Sequence, residues 1–260
     1  MKTTLTARPA QGLRNLSKNL RMTMTKKGLY VGVSGFSYPS WKGNFYPKDL
    51  RSEDFLDYYS KKLNSVEINS SFYAPPTIAM VKSWAAKTQD GFQFSIKSPR
   101  QITHILKLGK GSADSAKKLD FTLEHLGQRR GPVLFQLPPY LREDLKLLEL
   151  FLEETSSVPR RVFEFRHQSW LGETTYKLLE KYQAGFCIAE TEDMKPVMKV
   201  IGNIAYFRLR MDAYNKKSVD DWSKRIRDST KDADETYAYL RHDETGENAS
   251  FALQLKESVL

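Results

Sequence analysis

Several short apolar runs of this 260-residue chain end in a charged or amide side chain. Carboxylates such as Glu67 and Glu164 can give or take a proton as a general acid or base. Lysine and arginine, as at Lys97 and Arg208, bind phosphate or carboxylate groups through charge-assisted hydrogen bonds. The residues at or near the ends of these runs that together predict a site for an anionic ligand are Glu67, Asn69, Lys97, Gln136, Glu164, Arg166, Glu190, Arg208 and Arg210.

The alternation of side chains along a strand predicts which of these residues share a face. In the run Ser65–Asn69, the apolar Val66 and Ile68 should pack against helices, which leaves Glu67 and Asn69 on the opposite face. The same alternation applies to the third, fifth and seventh runs. It predicts that the inward-facing side chains there are Lys97, Glu164, Arg166, Arg208 and Arg210. We therefore expect these groups to converge.

Eight such runs recur along the chain, and most are followed by an amphipathic stretch. Strands that alternate with helical patterns indicate parallel βαβ units. Eight units in about 250 residues predict an α/β protein with a single (β/α)8 TIM barrel, whose active site lies at the carboxyl ends of the strands. The predicted strands are Tyr30–Ser34, Ser65–Asn69, Phe92–Lys97, Val133–Gln136, Val162–Arg166, Phe186–Glu190, Ala205–Arg210 and Tyr237–Arg241. The weakest predicted helix is Glu192–Val200, which contains Pro196.

The basic character of the chain is concentrated at its beginning. Residues 1–28 contain seven Lys or Arg and no acid, whereas the whole chain has a net charge of +10. A basic segment without acids is typical of a transit peptide or of an arm that contacts nucleic acid. A start-site artefact is the third interpretation, because Met22 or Met24 could begin the chain. We predict a disordered or extended tail at 1–28 and a barrel domain at 29–260.

The rest of the composition narrows the class of protein. Cys187 is the single cysteine, so no internal disulfide can form, which favours a reducing compartment and predicts a cytoplasmic protein. We expect Cys187 to be a small core residue. No apolar stretch is long enough to cross a membrane, so no membrane partner is expected. A Walker loop and a dinucleotide-binding glycine pattern are both absent from the sequence.

Aromatic and histidine side chains follow several of the strands. Aromatic faces beside cations can stack bases or sugars, although packing of the loops over the barrel explains them equally well. The candidates for ligand contact are Tyr38, Trp41, Tyr73, His104, His167 and Trp170. We predict no cofactor and no metal; a divalent metal at the dispersed histidines and carboxylates stays an open alternative.

Five segments are similar in combination to the YecE-like family, domain of unknown function 72. They are Val31–Pro47, Val66–Tyr73, Phe94–His104, Gly131–Pro139 and Phe163–Trp170. The resemblance runs from about Tyr30 to the C-terminus. It implies a TIM barrel but supplies no established reaction, so it assigns no catalytic roles.

The resemblance weakens in the last quarter of the chain. Family members often carry Arg-Leu-His-Gly after the seventh strand, where this chain has Arg208–Met211. At the eighth strand they often show Tyr-Phe-Asn-Asn-Asp, where this chain has Tyr239–Asp243. If the family uses those histidine and asparagine side chains, we expect a changed substrate or a weakened activity here.

The sequence favours an enzyme, a hydrolase or lyase by acid–base chemistry, that acts on a phosphorylated or other anionic substrate. Glu67 or Glu164 would be the general acid or base, and the cations would hold the anion. One alternative is a protein that binds or processes nucleic acid. A second is a barrel that scaffolds partners, which a mouth closed by ion pairs would favour.

Overall fold

The computed structural model describes residues 28–259. The strands are Gly28–Val33 (β1), Ser65–Ile68 (β2), Gln93–Lys97 (β3), Arg130–Gln136 (β4), Arg161–Glu164 (β5), Gly185–Glu190 (β6), Ile204–Leu209 (β7) and Glu235–Leu240 (β8). All pairings are parallel, in the order β1-β8-β7-β6-β5-β4-β3-β2, and the sheet curls into a nearly closed barrel. The predicted α/β barrel is therefore confirmed.

Helices cover the outside of the barrel after most strands. They are Phe55–Lys62 (α1), Ile78–Ala86 (α2), Ser112–Leu123 (α3), Leu145–Glu154 (α4), Glu173–Lys181 (α5), Lys216–Ser229 (α6) and Glu247–Val259 (α7). The predicted helix Glu192–Val200 is wrong, since residues 191–203 form turns and irregular chain. Pro196 lacks an amide N–H and disfavours helical geometry at the residue before it.

Gly28 begins β1 two residues before the predicted strand, and the rest of the predicted tail at 1–28 lies outside the described residues. None of the helices within residues 28–259 combines the length and apolar character needed to cross a membrane.

The lower interior of the barrel is filled by tyrosines. Tyr206, Tyr237 and Tyr239 are fully buried inside the sheet together with Leu134 and Val162. The Tyr239 hydroxyl lies 2.7 Å from Oγ of Ser95. Because aromatic rings fill this space, the interior of the barrel is a packed core, and a ligand site is expected at the carboxyl ends of the strands.

Side chains complete the seam between β1 and β2, where the backbone ladder is reduced to one bridge between Ser34 and Glu67. The Tyr59 hydroxyl accepts from the Val33 amide and donates to the Ser65 carbonyl, both over 2.9 Å. Close approach of the two strands needs Gly32, because a Cβ there would lie 1.9 Å from the Ser65 carbonyl oxygen. The seam thus sets the position of Glu67 beside β1.

We expect Gly32→Ala to lower the free energy of unfolding by about 2–4 kcal/mol, because backbone must move to admit the methyl group. Urea unfolding followed by circular dichroism measures the change. Gly172→Ala is the matched control: its Cβ meets no atom within 4 Å and its φ is −142°, so its cost should stay within about 1 kcal/mol. Equal losses in the two variants would contradict the steric explanation.

Candidate functional site

A buried arginine joins two buried glutamates at the carboxyl ends of the strands. Arg208 on β7 donates from Nε and Nη2 to the two carboxylate oxygens of Glu67 on β2, over 2.9 and 2.8 Å. Its Nη1 donates to Oε2 of Glu164 on β5 over 2.6 Å. All three residues are 1% exposed or less. Because every guanidinium nitrogen faces a carboxylate, the charge of Arg208 is satisfied inside the protein.

Glu67 is further held by hydroxyl and amide groups. Tyr206 donates its hydroxyl to Oε2 over 2.8 Å, and Oε1 accepts from Asn69 Nδ2 at 3.1 Å and Ser34 Oγ at 3.2 Å. Burial alone would raise the pKa of Glu67, but the charge and hydrogen bonds of Arg208 outweigh it and lower that pKa. Glu67 is therefore an ionised and fully engaged carboxylate at neutral pH.

Glu164 lies between two arginines. Its Oε1 accepts from Nε of Arg166, and its Oε2 faces Arg208. Burial opposes ionisation, but the charges of Arg208 and Arg166 lower the pKa of Glu164 to about 2. The thiol of Cys187 lies 3.9 Å from Oε2, on the inner wall of the barrel. Burial and the neighbouring Glu164 raise the pKa of Cys187, so the thiol stays protonated.

Lys97 is the last residue of β3. It lies at the mouth of the barrel, the region at the carboxyl ends of the strands that also holds Glu67, Glu164 and Arg208. Within residues 28–259, no carboxylate oxygen lies within 4 Å of its Nζ. The Nζ instead lies 4.1 Å from the centroid of the Phe72 ring. Burial, followed by repulsion from Arg208, lowers the pKa of Lys97 to about 8. Lys97 therefore exists as a mixture of ammonium and neutral amine near neutral pH.

Arg210 is the second cation of the mouth with no ion pair among the described residues. Its Nη1 donates to Oγ of Ser34, a neutral acceptor. Burial and the charge of Arg208 lower the pKa of Arg210 to about 10. The mouth thus sets four cations, at Lys97, Arg166, Arg208 and Arg210, against the carboxylates of Glu67 and Glu164. A surplus of desolvated positive charge is costly unless an anion completes the site.

A cleft of about 490 Å³ opens beside this cluster. Arg166 connects the two, because it contacts Glu164 and also lines the cleft. The other lining residues are Gln136, Pro139, His167, Gln168, Thr191, Asp193 and Met194. The predicted residues Gln136, Arg166 and His167 therefore lie at one surface, over the ends of β4 to β6.

Glu190 does not join the mouth, contrary to the sequence prediction. Its Oε2 accepts from the Tyr214 hydroxyl at 2.8 Å and from Trp222 Nε1 at 2.9 Å. Trp222 belongs to α6, so the carboxylate lies on the helix side of the sheet. The reason is strand alternation: Cys187 and Ala189 face the interior, which turns Glu190 outward.

Two of the predicted aromatic contacts are core residues instead. Trp41 and Trp170 are both 0% exposed. Trp41 donates its indole N–H to the Asp243 carbonyl, and Trp170 donates to that of Leu141, both over 2.8 Å. The predicted ligand contacts of Trp41 and Trp170 are therefore wrong, since no ring face is free.

The remaining aromatic and histidine candidates lie on the rim. Tyr38 stacks on His242 with ring centroids 4.8 Å apart, and Tyr73 is 77% exposed. The His104 ring meets the edge of Phe72, whereas His167 Nδ1 accepts from the Ser169 amide. Within residues 28–259, no three His, Cys, Asp or Glu side chains gather as a metal site requires.

Ser34, Asp193 and Tyr206 also contribute to the mouth or the cleft, although they were not predicted as site residues. Tyr206 shares the inward parity of Arg208 and Arg210 in the seventh run, so the alternation could have selected it. Ser34 ends the first run and was equally accessible to that argument. Asp193 lies in a turn after β6, where no periodic pattern indicates direction.

The family model described as protein of unknown function DUF72 matches residues 30–260. The UPF0759 protein YunF of Bacillus subtilis is 21% identical, over 88% of this chain and 94% of its own length. The UPF0759 protein YecE of Escherichia coli K12 is 28% identical, over 54% of this chain and 48% of its own length.

Solved structures show the same barrel. A DUF72 family protein from Thermotoga maritima superimposes with a TM-score of 0.78 at 27% identity, covering 88% of this chain and 98% of its own. One from Enterococcus faecalis gives 0.73 at 16% identity, covering 89% and 95%, and shows the fold alone. Since the family model spans the whole barrel with its charged mouth, this chain belongs to the DUF72 family.

Proposed function

We propose that this protein is an enzyme, a hydrolase or lyase, that acts on a phosphorylated or other anionic small molecule at the mouth of the barrel. The observation that supports this most is that two desolvated cations, Lys97 and Arg210, pair with no carboxylate of the described residues 28–259. An anion placed between them would offset the cost of burying two positive charges. The adjoining cleft of about 490 Å³ has the size of a small-molecule site.

The charged residues divide into two groups under this proposal. Arg208, Glu67 and Glu164 satisfy one another, so we assign them to positioning rather than to anion binding or proton transfer. Lys97 and Arg210, with the outer edge of Arg166, contact the ligand. Ion pairs of the first group are what a scaffold barrel would have, but a scaffold does not need Lys97 and Arg210, which form no ion pair within residues 28–259. The proposal needs no cofactor, and the single thiol suits the cytoplasm.

Arg210→Gln is expected to weaken binding of inorganic phosphate at least tenfold, because a buried charge-assisted contact contributes about 1.5–3 kcal/mol. Isothermal titration calorimetry at low salt measures the affinity. A small dicarboxylate in a second titration distinguishes preference for phosphate from preference for carboxylate.

Arg241→Gln is the matched control for this experiment. Arg241 follows β8 at the same rim, but its Nη1 pairs with Asp212 and the side chain is 43% exposed. Its loss should change the affinity less than threefold. Equal affinities of wild type and Arg210→Gln, or no measurable binding by wild type, would count against an anion site.

A second candidate function, binding of single-stranded nucleic acid, is favoured by exposed aromatic rings on the rim. Tyr73 is 77% and Tyr140 is 60% exposed, and Lys107 Nζ lies 5.4 Å from the Tyr140 ring centroid. Bases stack on such rings, and phosphates bind such cations. Fluorescence anisotropy with a labelled oligonucleotide tests it: affinity should fall steeply with salt and drop in Tyr73→Ala. Salt-insensitive binding would reject it.

A further inference from the structure

Lys97 differs from the exposed lysines of the described chain in its surroundings. Its amine lies over the Phe72 ring, and no ion pair within residues 28–259 holds it there. Lys61, by contrast, pairs with Asp57 over 2.7 Å on the surface of α1. An amine that is desolvated and near other cations loses its proton readily and becomes a nucleophile.

We propose that Lys97 is the catalytic nucleophile of this site, and that it forms an iminium with the carbonyl group of an anionic substrate. The inference rests on the proposed function, because Arg210 would hold the anionic end while the amine meets the carbonyl. It narrows the reaction to lyase-type chemistry, in which the iminium accepts the electron pair of a neighbouring bond as that bond breaks.

The covalent step balances without an added oxidant or reductant. The Lys97 nitrogen forms a bond to the carbonyl carbon, and the carbon–oxygen double bond breaks. Of the three protons of the starting ammonium, two leave with the carbonyl oxygen as water and one stays on the iminium nitrogen. Proton transfer to the departing oxygen needs an acid–base group nearby, and the imidazole of His104 contacts the same Phe72 ring as Lys97.

The local charges agree with a reactive amine. Burial and Arg208 lower the pKa of Lys97 to about 8, while the carboxylates of Glu164 and Glu67 oppose this shift. Burial, followed by the charge of Lys97, also lowers the pKa of His104, which favours the neutral imidazole. The charges that act most on Lys97 are those of Arg208, Glu164, Glu67 and Arg210, and the charge of Lys97 in turn acts on His104.

Reductive trapping tests the amine directly. Pyridoxal 5′-phosphate, a phosphorylated aldehyde, is incubated with the full chain and reduced with borohydride, and the adducts are located by peptide mass mapping. We expect Lys97 to be labelled at least about tenfold faster than Lys61, since each unit of lowered pKa gives about tenfold more neutral amine. Inorganic phosphate should slow labelling at Lys97 only. Lys97→Arg should abolish that adduct, and Lys61→Arg should leave it unchanged.

A second aldehyde separates this inference from the proposed function. Propanal with cyanoborohydride carries no anionic group, so its selectivity for Lys97 reports the amine alone. Arg210→Gln should slow pyridoxal phosphate labelling of Lys97 much more than propanal labelling. Selective propanal labelling without phosphate binding would overturn the anion site and keep the nucleophile. Phosphate binding with labelling of Lys97 no faster than of Lys61 by either aldehyde would overturn the nucleophile and keep the anion site.

Discussion

Arg208→Leu is expected to lower the free energy of unfolding by about 3–5 kcal/mol, because it leaves the carboxylates of Glu67 and Glu164 buried without their shared cation. Leucine fills much of the aliphatic volume, so the loss reports charge more than cavity. Urea unfolding at pH 7, followed by circular dichroism, gives the difference. If the variant does not fold, adding Glu67→Gln and Glu164→Gln should restore a measurable unfolding transition.

The control variants separate unpaired charge from loss of an arginine. Arg241→Leu removes an arginine whose ion pair with Asp212 is exposed, and should cost less than about 1 kcal/mol. Adding Glu67→Gln and Glu164→Gln to Arg208→Leu removes both stranded charges and should recover a large part of the loss. A loss no larger than that of the Arg241 control would contradict the role assigned to Arg208.

The fold follows from patterns that act over a few residues. Eight apolar runs alternate with helical patterns. A closed barrel of parallel strands covered by helices is the arrangement that buries both faces of every strand. The strand starts differ by at most three residues, the largest shift being at β4, which begins at Arg130. The closing of the seam by Tyr59 was not accessible, because it depends on where α1 meets two strands distant in sequence.

The sequence predicted that several charged side chains gather at the barrel mouth, but not which of them form ion pairs. Arg208 and Arg210 are two positions apart on one strand and have the same parity, so the sequence treats them alike. The structure separates them by depth: Arg208 lies one layer lower, between two carboxylates, while Arg210 donates to the neutral hydroxyl of Ser34. Which cation is neutralised depends on the stagger of neighbouring strands, and that register is a property of the closed barrel.

Glu190 shows the limit of reading a strand end from its polarity. Its run contains a carboxylate, as the second and fifth runs do, but Glu190 faces the helices, and its partners come from α6 and the loop before α6. A count from Cys187 within the run would have turned it outward. Trp41 and Trp170 fail for another reason, because an aromatic loop residue packs downward whenever neighbouring loops cover it.

Acid is expected to destabilise the protein through the buried carboxylates. The pKa of Glu164 is about 2 in the folded protein, against 4.5 for its ordinary value, and that of Glu67 is also lowered. A group whose pKa is lower in the folded state adds stability above its unfolded pKa, and that stability is lost as the pH falls toward the folded pKa. Glu164 alone should therefore contribute on the order of 3 kcal/mol that disappears between pH 4.5 and 2.

Urea unfolding at pH 6, 4.5, 3.5 and 2.5 measures this loss, and Glu164→Gln isolates its source. The variant is less stable than wild type at pH 6, since Arg166 and Arg208 lose a partner, but its stability should fall less steeply with acid. Glu154→Gln, which removes an exposed glutamate at the end of α4, should keep the wild-type slope. Parallel pH profiles for wild type and Glu164→Gln would mean that Glu164 is not held ionised by its arginines. The buried ion pairs would then contribute no more to the free energy of unfolding than surface ion pairs do. The distinction between paired and unpaired cations at the mouth would no longer be supported.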